Sequence, residues 1–409
     1  MSAIIGSRAR GRPRTRHRLP PAPVAPARAS RYPAGMDTHI TDCIVIGAGI
    51  AGATAAAHLS AERRVVLIEA EEAAGVHTSG RSAALWVANG GPEYERTLAQ
   101  ESFAFLNTPP PGFAATPILT ERPVAFAVPP EQLADLHEIL ASRSNIREIS
   151  VAALRAMIPA IRPGYAVAAA LETGNFDIDV DVLLQGYLRL ARSHGATVAF
   201  RRRSHCIAHQ DGHWRVETVS GASFHAPVLV NAAGAWGDEV AVQAGLRPLG
   251  LTPKRRTAVV IDPAPFEVAS WPRLYDPRRS WYCKPEARAR LMISPADATP
   301  THAQDVQPEE IDIAITIERM QQVLDIPVRR VERAWAGLRT FTPDGAFAFG
   351  EAIEANRFFW FVGQGGDGIL TSAAAGRLLA DLVAGRAPDW LPGAARILPA
   401  IDPRRFAAA

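Results

Sequence analysis

Cysteine is nearly absent from this chain of 409 residues: Cys43, Cys206 and Cys283 are odd in number and show no C-x-x-C spacing. That excludes a disulfide scaffold and a cysteine-based zinc site, and points to a reducing compartment, with the three thiols read as small buried hydrophobes. No run of 18 apolar residues occurs, which excludes a transmembrane helix. Lysine is confined to Lys254 and Lys284, so 42 of the 44 basic residues are arginine. The G-x-S-x-G, H-E-x-x-H and Walker A patterns are missing, and with them the motif basis for hydrolase, metalloprotease or ATPase chemistry. His205, His209 and His213 recur every four residues, but the Asp211-Gly212 turn breaks any helix that would bring them to one face, so no metal is expected.

What is present is an ordinary globular composition, 48% hydrophobic and 21% charged, long enough for two or three lobes at roughly 150 residues each. The net charge of +3 is unevenly distributed. Residues 1–35 hold eight arginines and no acid, so with +8 taken out the remainder is −5. This Arg/Pro/Ala-rich leader has no apolar period and is expected to be disordered. Three readings of it stand side by side: a basic arm for nucleic acid, an organellar transit peptide, or translated upstream sequence before a start at Met36. No specific nucleic-acid partner is expected for the mildly acidic remainder.

After Met36 the chain reads Asp42-Cys-Ile-Val-Ile-Gly-Ala-Gly-Ile-Ala-Gly52, a buried strand running into G-x-G-x-x-G at Gly47, Gly49 and Gly52. A small-residue helix over 53–59 and a second apolar strand, Val65-Val-Leu-Ile-Glu69, follow. The glycines allow a tight turn, close approach of a pyrophosphate and helix-to-strand packing. The diphosphate belongs at the helix N-terminus, beside Ile50 and Ala51, and Glu69, with Ala70 next to it, is placed for a ribose diol. This context specifies a dinucleotide but does not separate FAD from NAD.

Three later segments favour FAD. The loop Gly75-Val-His77-Thr78-Ser79-Gly80-Arg81-Ser82-Ala83-Ala84 follows the acid directly, where an NAD-type fold would start a plain βα unit. The strand from Val228 ends in Ala232-Ala233-Gly234-Ala-Trp236. Finally Gly363-Gln-Gly365-Gly366-Asp367-Gly368-Ile369-Leu370 opens a helix at Ser372, whose dipole favours electron density on a reduced flavin.

On these segments, and on Arg247-Pro-Leu-Gly-Leu-Thr-Pro-Lys-Arg-Arg256, Asp305-Val-Gln-Pro-Glu309 and Trp335-Ala-Gly-Leu-Arg339, the chain resembles the D-amino-acid oxidase type of FAD-dependent oxidoreductases from about Asp42 to Leu382. Within that group it looks most similar to the bacterial D-arginine dehydrogenases. The resemblance implies an α/β fold: a Rossmann-like FAD-binding domain (36–88, 177–256 and 345–390) interleaved with an α+β substrate-binding domain on a mixed or antiparallel sheet (89–176 and 257–344), then a tail, 391–409. It implies noncovalent FAD and oxidation of the Cα–N bond of a D-amino acid. An arginine is the natural anchor for a carboxylate because its fork is planar and bidentate, and Arg339 is the first choice. By the resemblance, Arg256 and the Tyr282 hydroxyl join it, and the Gly337 carbonyl receives the substrate amine.

The departures bear on the substrate. Where the D-arginine enzymes carry a glutamate for the guanidinium, this chain has Val124, which cannot pair a cation. The histidine and tyrosine of the following loop are replaced by Leu85, Trp86, Val87, Ala88, Asn89 and Gly90. An apolar or altered side-chain pocket is expected, with Glu95 and Glu121 as candidate replacements for the acid. A 2-hydroxy acid, a secondary amine such as glycine or sarcosine, and a polyol phosphate stay open as donors. So do quinone or dioxygen as acceptor and the oligomeric state. A cytoplasmic enzyme is expected, with peripheral membrane contact left open. In the same stretch Asp181 is expected to cap a helix ending at Gly195, and Asp211-Gly212 and Ser220-Gly221 to turn two hairpins.

Overall fold

The structure, a computed structural model, describes residues 37–287, 289–354 and 357–407; the leader at 1–35 lies outside them. Its first layer is a six-stranded sheet in the order Thr197–Ala199, Val65–Ile68, Cys43–Ile46, Val228–Asn231, Phe358–Val362 and Ala348–Glu351, parallel except for the last strand. These are short apolar runs covered on both faces, as parallel strands require. Alternation divides them cleanly. Cys43, Val45, Val65 and Leu67 meet the helices Ile50–Leu59, Val180–Ser193 and Ser372–Ala384. Ile44, Ile46, Val66 and Ile68 meet a second, four-stranded sheet built from Ser204–Gln210, His213–Thr218 and Ala222–Ala226, with Asp37–Ile40 along its edge. Both expected hairpin turns are there, with Gly212 and Gly221 at positive φ.

The cap of the helix Val180–Ser193 differs from the reading of the sequence. Asp179, not Asp181, is the N-cap, its Oδ1 accepting the Val182 N–H at 3.0 Å. Asp181 falls inside the first turn, where its charge still suits the helix dipole. Two aspartates spaced by one residue carry the same sequence signal; the short strand Phe176–Ile178, paired up to Ile178, decides which is the first residue free to cap.

The other large element is a nine-stranded mixed sheet assembled from both halves of the chain, including Val124–Val128, Ala168–Glu172, Thr252–Ile261, Arg273–Tyr275, Tyr282–Glu286, Arg290–Ser294 and Val331–Phe341. One face is a closed core: Ala125, Ala169, Val259, Leu274, Cys283 and Ile293 pack with Leu154, Met320 and Val323 from the helices Val151–Met157 and Glu310–Val323. With strand period 2, the alternate residues, Phe126, Tyr275, Tyr282, Ser294, Ala258 and Trp335, form a row across the opposite face. Residues after 390 form the helix Ala394–Ile401 and bury Ile397 and Ile401 in the first core. No helix among the described residues is long and apolar enough to cross a membrane.

Candidate active site

A single elongated cavity runs from the first glycine-rich turn to the open face of the nine-stranded sheet. At its first end Gly47 adopts φ +99°, and a Cβ there would stand 2.6 Å from the Ala232 carbonyl oxygen. A Cβ on Gly52 would lie 1.7 Å from the Gly47 oxygen, so the helix leaves the turn with no room for a side chain. The turn is pinned by neighbours: the Ala48 N–H donates to Glu69 Oε2 at 2.6 Å, the Glu71 N–H to Glu69 Oε1 at 3.0 Å, and the Ile50 N–H to the Ser79 hydroxyl at 2.9 Å. Each oxygen of Glu69 keeps acceptor capacity for a ligand hydroxyl.

The lining includes Gly47, Gly49, Ile50, Ala51, Glu69 and Ala70 at this end, then His77, Thr78, Ser79, Arg81, Ser82 and Ala83 along one wall. Ala233, Gly234 and Trp236 supply another part, and Gly365, Gly366, Gly368 and Ile369 the far side. The His77 ring lies against Trp236 with centroids 4.6 Å apart; its Nε2 is 3.1 Å from Glu71, while its buried Nδ1 has no hydrogen-bond partner. A glycine-walled channel with a helix N-terminus and a carboxylate at one end and an orphaned polar atom along it fits an extended dinucleotide. Four residues expected to touch the cofactor do not line the cavity: Gly52, Gly80, Asp367 and Leu370. Gly52 and Gly80 serve backbone crossings instead, a Cβ at Gly80 falling 2.8 Å from the Gly75 oxygen. The Arg81 guanidinium is engaged by protein, donating to the carbonyls of Val76, Val306 and Ala336 and pairing with Asp305. It ties the loop to the strand Val331–Phe341. Reading the sequence missed Glu71, Arg202, Arg203, Ser204 and Gln243, which also line the channel. Glu71 and Arg202 to Ser204 follow the paired strands Val65–Ile68 and Thr197–Ala199, Gln243 comes from the helix Gly237–Gln243 and accepts from the Ser204 hydroxyl at 2.8 Å, and no local motif marks them.

At the other end the strands Thr252–Ile261 and Val331–Phe341 pair antiparallel with Arg256 opposite Gly337. Arg339, two residues on, is the diagonal neighbour on the same face, within about 7–8 Å in backbone spacing. The absent side chain of Gly337 leaves that space open; a Cβ there would approach Arg81 Cβ at 3.2 Å. Arg256 Nε donates to the Asp297 carbonyl at 2.6 Å, and Asp297 is itself held by the Thr257 N–H and hydroxyl. Neither Nη of Arg256, nor any nitrogen of the Arg339 side chain, has a protein acceptor among the described residues. Burial and the nearby Arg339 charge lower the Arg256 pKa. Arg339 packs on Gly366, where a Cβ would stand 3.0 Å from Nη1. Tyr282 completes the group. Burial opposes its ionisation, yet Arg339, Arg256 and Arg273 together hold the phenol below the ordinary tyrosine value. Arg256, held at Nε beside Asp297 with its Nη groups unaccepted, Arg339 and a polarised phenol on one face form a group that can receive an anion.

Val124 is 3% exposed, in a cluster with Phe126, Val128, Leu136 and Ala170 against which Leu85 and Tyr275 pack. Leu85 and Trp86 form a strand paired with Phe176–Ile178, and the Trp86 indole N–H donates to the Ala99 carbonyl at 2.9 Å. Glu121 is exposed. Glu95 is half-buried, and burial together with Asp367 pushes its carboxyl up to about 8.

Residues 42–382 match the family described as DAO, FAD dependent oxidoreductase. The curated hydrogen cyanide synthase subunit HcnC of Pseudomonas protegens is 27% identical over 249 residues, 58% of this chain and 56% of that protein. The chain thus aligns with little more than half of that relative's length. The crystal structure of glycine oxidase from Geobacillus kaustophilus superposes with a TM-score of 0.74 at 23% identity, covering 86% of this chain and 96% of that one. L-proline dehydrogenase from P. horikoshii gives 0.74 at 19%, covering 91% and 99%. The two solved structures share this fold.

Proposed function

The chain belongs to the DAO family of FAD-dependent oxidoreductases, and on that premise we propose that it oxidises the Cα–N bond of a D-amino acid whose side chain is not cationic. FAD, its cofactor, would supply a hydride acceptor at the channel; a substrate amine that has lost its ammonium proton to solvent would then give up the Cα hydride, and water would hydrolyse the resulting imine to a 2-oxo acid and ammonia. In this reading FAD is held noncovalently by the channel from Gly47 to Ile369.

The observation that carries the proposal is the pair of guanidiniums, Arg256 and Arg339, lining the same cavity as the cofactor cradle, the Nη groups of Arg256 and the whole Arg339 fork being without a protein acceptor among the described residues. Arg339 offers the carboxylate its planar edge, Arg256 adds its Nη groups, and the Tyr282 hydroxyl donates a further hydrogen bond. The Gly337 carbonyl is assigned the substrate amine. Holding the carboxylate at several points fixes which face of Cα is presented, and such orientation lowers the barrier by several kcal/mol, about 7–11 at most. Val124 offers no acceptor to a cationic side chain, and the charged groups across from it are already engaged, Glu172 with Arg143 and Arg273 with Asp177, which argues against a further cation there.

The test is anaerobic bleaching of the bound flavin by a panel of D- and L-amino acids, glycine, sarcosine and 2-hydroxy acids, with air admitted afterwards to separate dioxygen from a quinone as the acceptor. Reduction by neutral D-amino acids is expected. Reduction by hydroxy acids alone, or by no D-amino acid, overturns the assignment.

A further inference from the structure

Arg273 lies outside the cavity lining and outside every role assigned above, and its surroundings are unusual. It is the first residue of the strand Arg273–Tyr275, paired with Val124 on one side, and its side chain is 4% exposed. Its Nη2 donates to the Ala83 carbonyl at 2.6 Å and lies 3.3 Å from Asp177 Oδ1, while Nη1 lies 3.3 Å from the Tyr275 hydroxyl. The guanidinium carbon stands 5.6 Å from the centroid of the Tyr282 ring. Its Nε is buried without an acceptor.

Stability does not account for this arrangement. Asp177 is shared among three cations, with Arg122 at 2.9 Å, Arg273 at 3.3 Å and Lys284 at 3.8 Å, so the cluster is overcharged. Among the described residues, Glu286, 3.8 Å from Lys284, offsets it further. A buried ion cluster short of counter-charge is weak for stability, and an apolar residue of similar volume would serve packing as well. What an apolar residue cannot do is reach the Ala83 carbonyl, the Tyr275 hydroxyl and the face of Tyr282 from one planar group. Ala83 belongs to the cofactor-facing wall, and Tyr282 to the anion site.

We propose that Arg273 is a positioning residue that fixes the Tyr282 ring and the Ala83 backbone to one guanidinium, holding the substrate-carboxylate contact at a set spacing from the cofactor-facing loop. The proposal rests on the reading of Tyr282 as a carboxylate donor. The groups facing the Tyr282 phenol are Arg339 and Arg256 from the paired ribbon, Arg273 and Tyr275 from the adjoining strand, Ser294 from the strand opposite, and Lys284 two residues along its own strand. Removing the Arg273 charge therefore makes the phenol harder to ionise.

The experiment uses the FAD-loaded enzyme, with Arg273→Met, Arg273→Lys and Tyr275→Phe beside wild type. Four properties are read: FAD content, the visible flavin spectrum, KM against kcat, and the pH profile of kcat/KM. Arg273→Met is expected to keep FAD, raise KM by roughly tenfold or more as a charged hydrogen-bond network is lost, and move the alkaline limb to higher pH. Arg273→Lys is expected to restore the limb but not KM, because it keeps the charge and lacks the fork. Tyr275→Phe is expected to raise KM to a smaller degree, and it keeps the test alive if Arg273→Met fails to fold. FAD-loaded Arg273→Met with wild-type KM, pH limb and flavin spectrum overturns the proposal, as does wild-type KM in both other variants. If wild type is bleached by no amino acid, the carboxylate reading fails instead, and the flavin spectrum of Arg273→Met still reports whether the Ala83 contact matters.

Discussion

Replacing Arg339 by Met separates a binding role from a structural one. The Arg339 guanidinium has no protein acceptor among the described residues, and its charge opposes that of Arg256. Its removal thus breaks no internal hydrogen bond; it relieves the repulsion with Arg256 but loses the attraction of the buried Asp367, so the melting temperature of Arg339→Met is expected to stay close to that of wild type. Substrate loses a bidentate partner. Hydrogen bonds to charged groups contribute about 1.5–3 kcal/mol each, so two amount to at least about 3 kcal/mol. At about 1.4 kcal/mol per decade, kcat/KM falls roughly a hundredfold. Arg339→Lys recovers only part, because an ammonium presents no fork. The assay is stopped-flow flavin bleaching under anaerobic conditions, paired with thermal melts of both FAD-loaded proteins. An unchanged kcat/KM refutes the anion-site reasoning. A drop of several degrees in melting temperature refutes the claim that Arg339 is structurally idle.

Other expectations follow from the same geometry. Gly52→Ala puts a Cβ against the Gly47 oxygen and is expected to destabilise by about 1–3 kcal/mol and to lower the flavin-to-protein absorbance ratio of purified enzyme; full FAD retention refutes it. Glu95, raised from 4.5 to about 8, favours the folded state fully below the unfolded pKa and loses that contribution as pH rises through the folded one. Between about pH 4.5 and 8 the melting temperature of wild type should therefore fall relative to Glu95→Gln, and parallel curves would argue against a buried carboxyl. Asp344 is held down to about 2, chiefly by Arg405, so its contribution is present above 3.8 and disappears as pH falls towards 2. Arg405→Ala is expected to melt lower at neutral pH and to show a weaker acid dependence in that window; an unchanged acid limb contradicts the pairing.

Much of the cofactor end was legible because its signal is local. Gly47, Gly49, Gly52 and Glu69 lie within one βαβ unit, and steric exclusion at a turn leaves its mark in neighbouring residues. Arg339 and Arg256 were readable only through their motif context, since an arginine in a chain holding 42 of them carries no signal of its own. Arg202 to Ser204, the commitment of Arg81 to the carbonyls of Val306 and Ala336, and Arg273 were not legible. Each depends on which strands lie side by side across more than a hundred residues, and strand order is set by burial of whole faces rather than by any short pattern. The choice of Asp179 over Asp181 was lost for a related reason, a strand whose end fixes where the helix begins.

Arg256, Gly337 and Arg339 all belong to one antiparallel ribbon, Thr252–Ile261 with Val331–Phe341. The carboxylate grip proposed for them would thereby be inherited from a ladder of main-chain hydrogen bonds, which constrains how such a site can diversify. A one-residue insertion in either strand would turn the guanidiniums into the hydrophobic core and end activity at a stroke. Changes around Val124, Phe126 and Leu85, on strands that the ribbon does not include, leave the grip in place. On the proposed reading, substitutions off the ribbon are tolerated where shifts of register along it are not, and a library aimed at new donors should spare the ribbon.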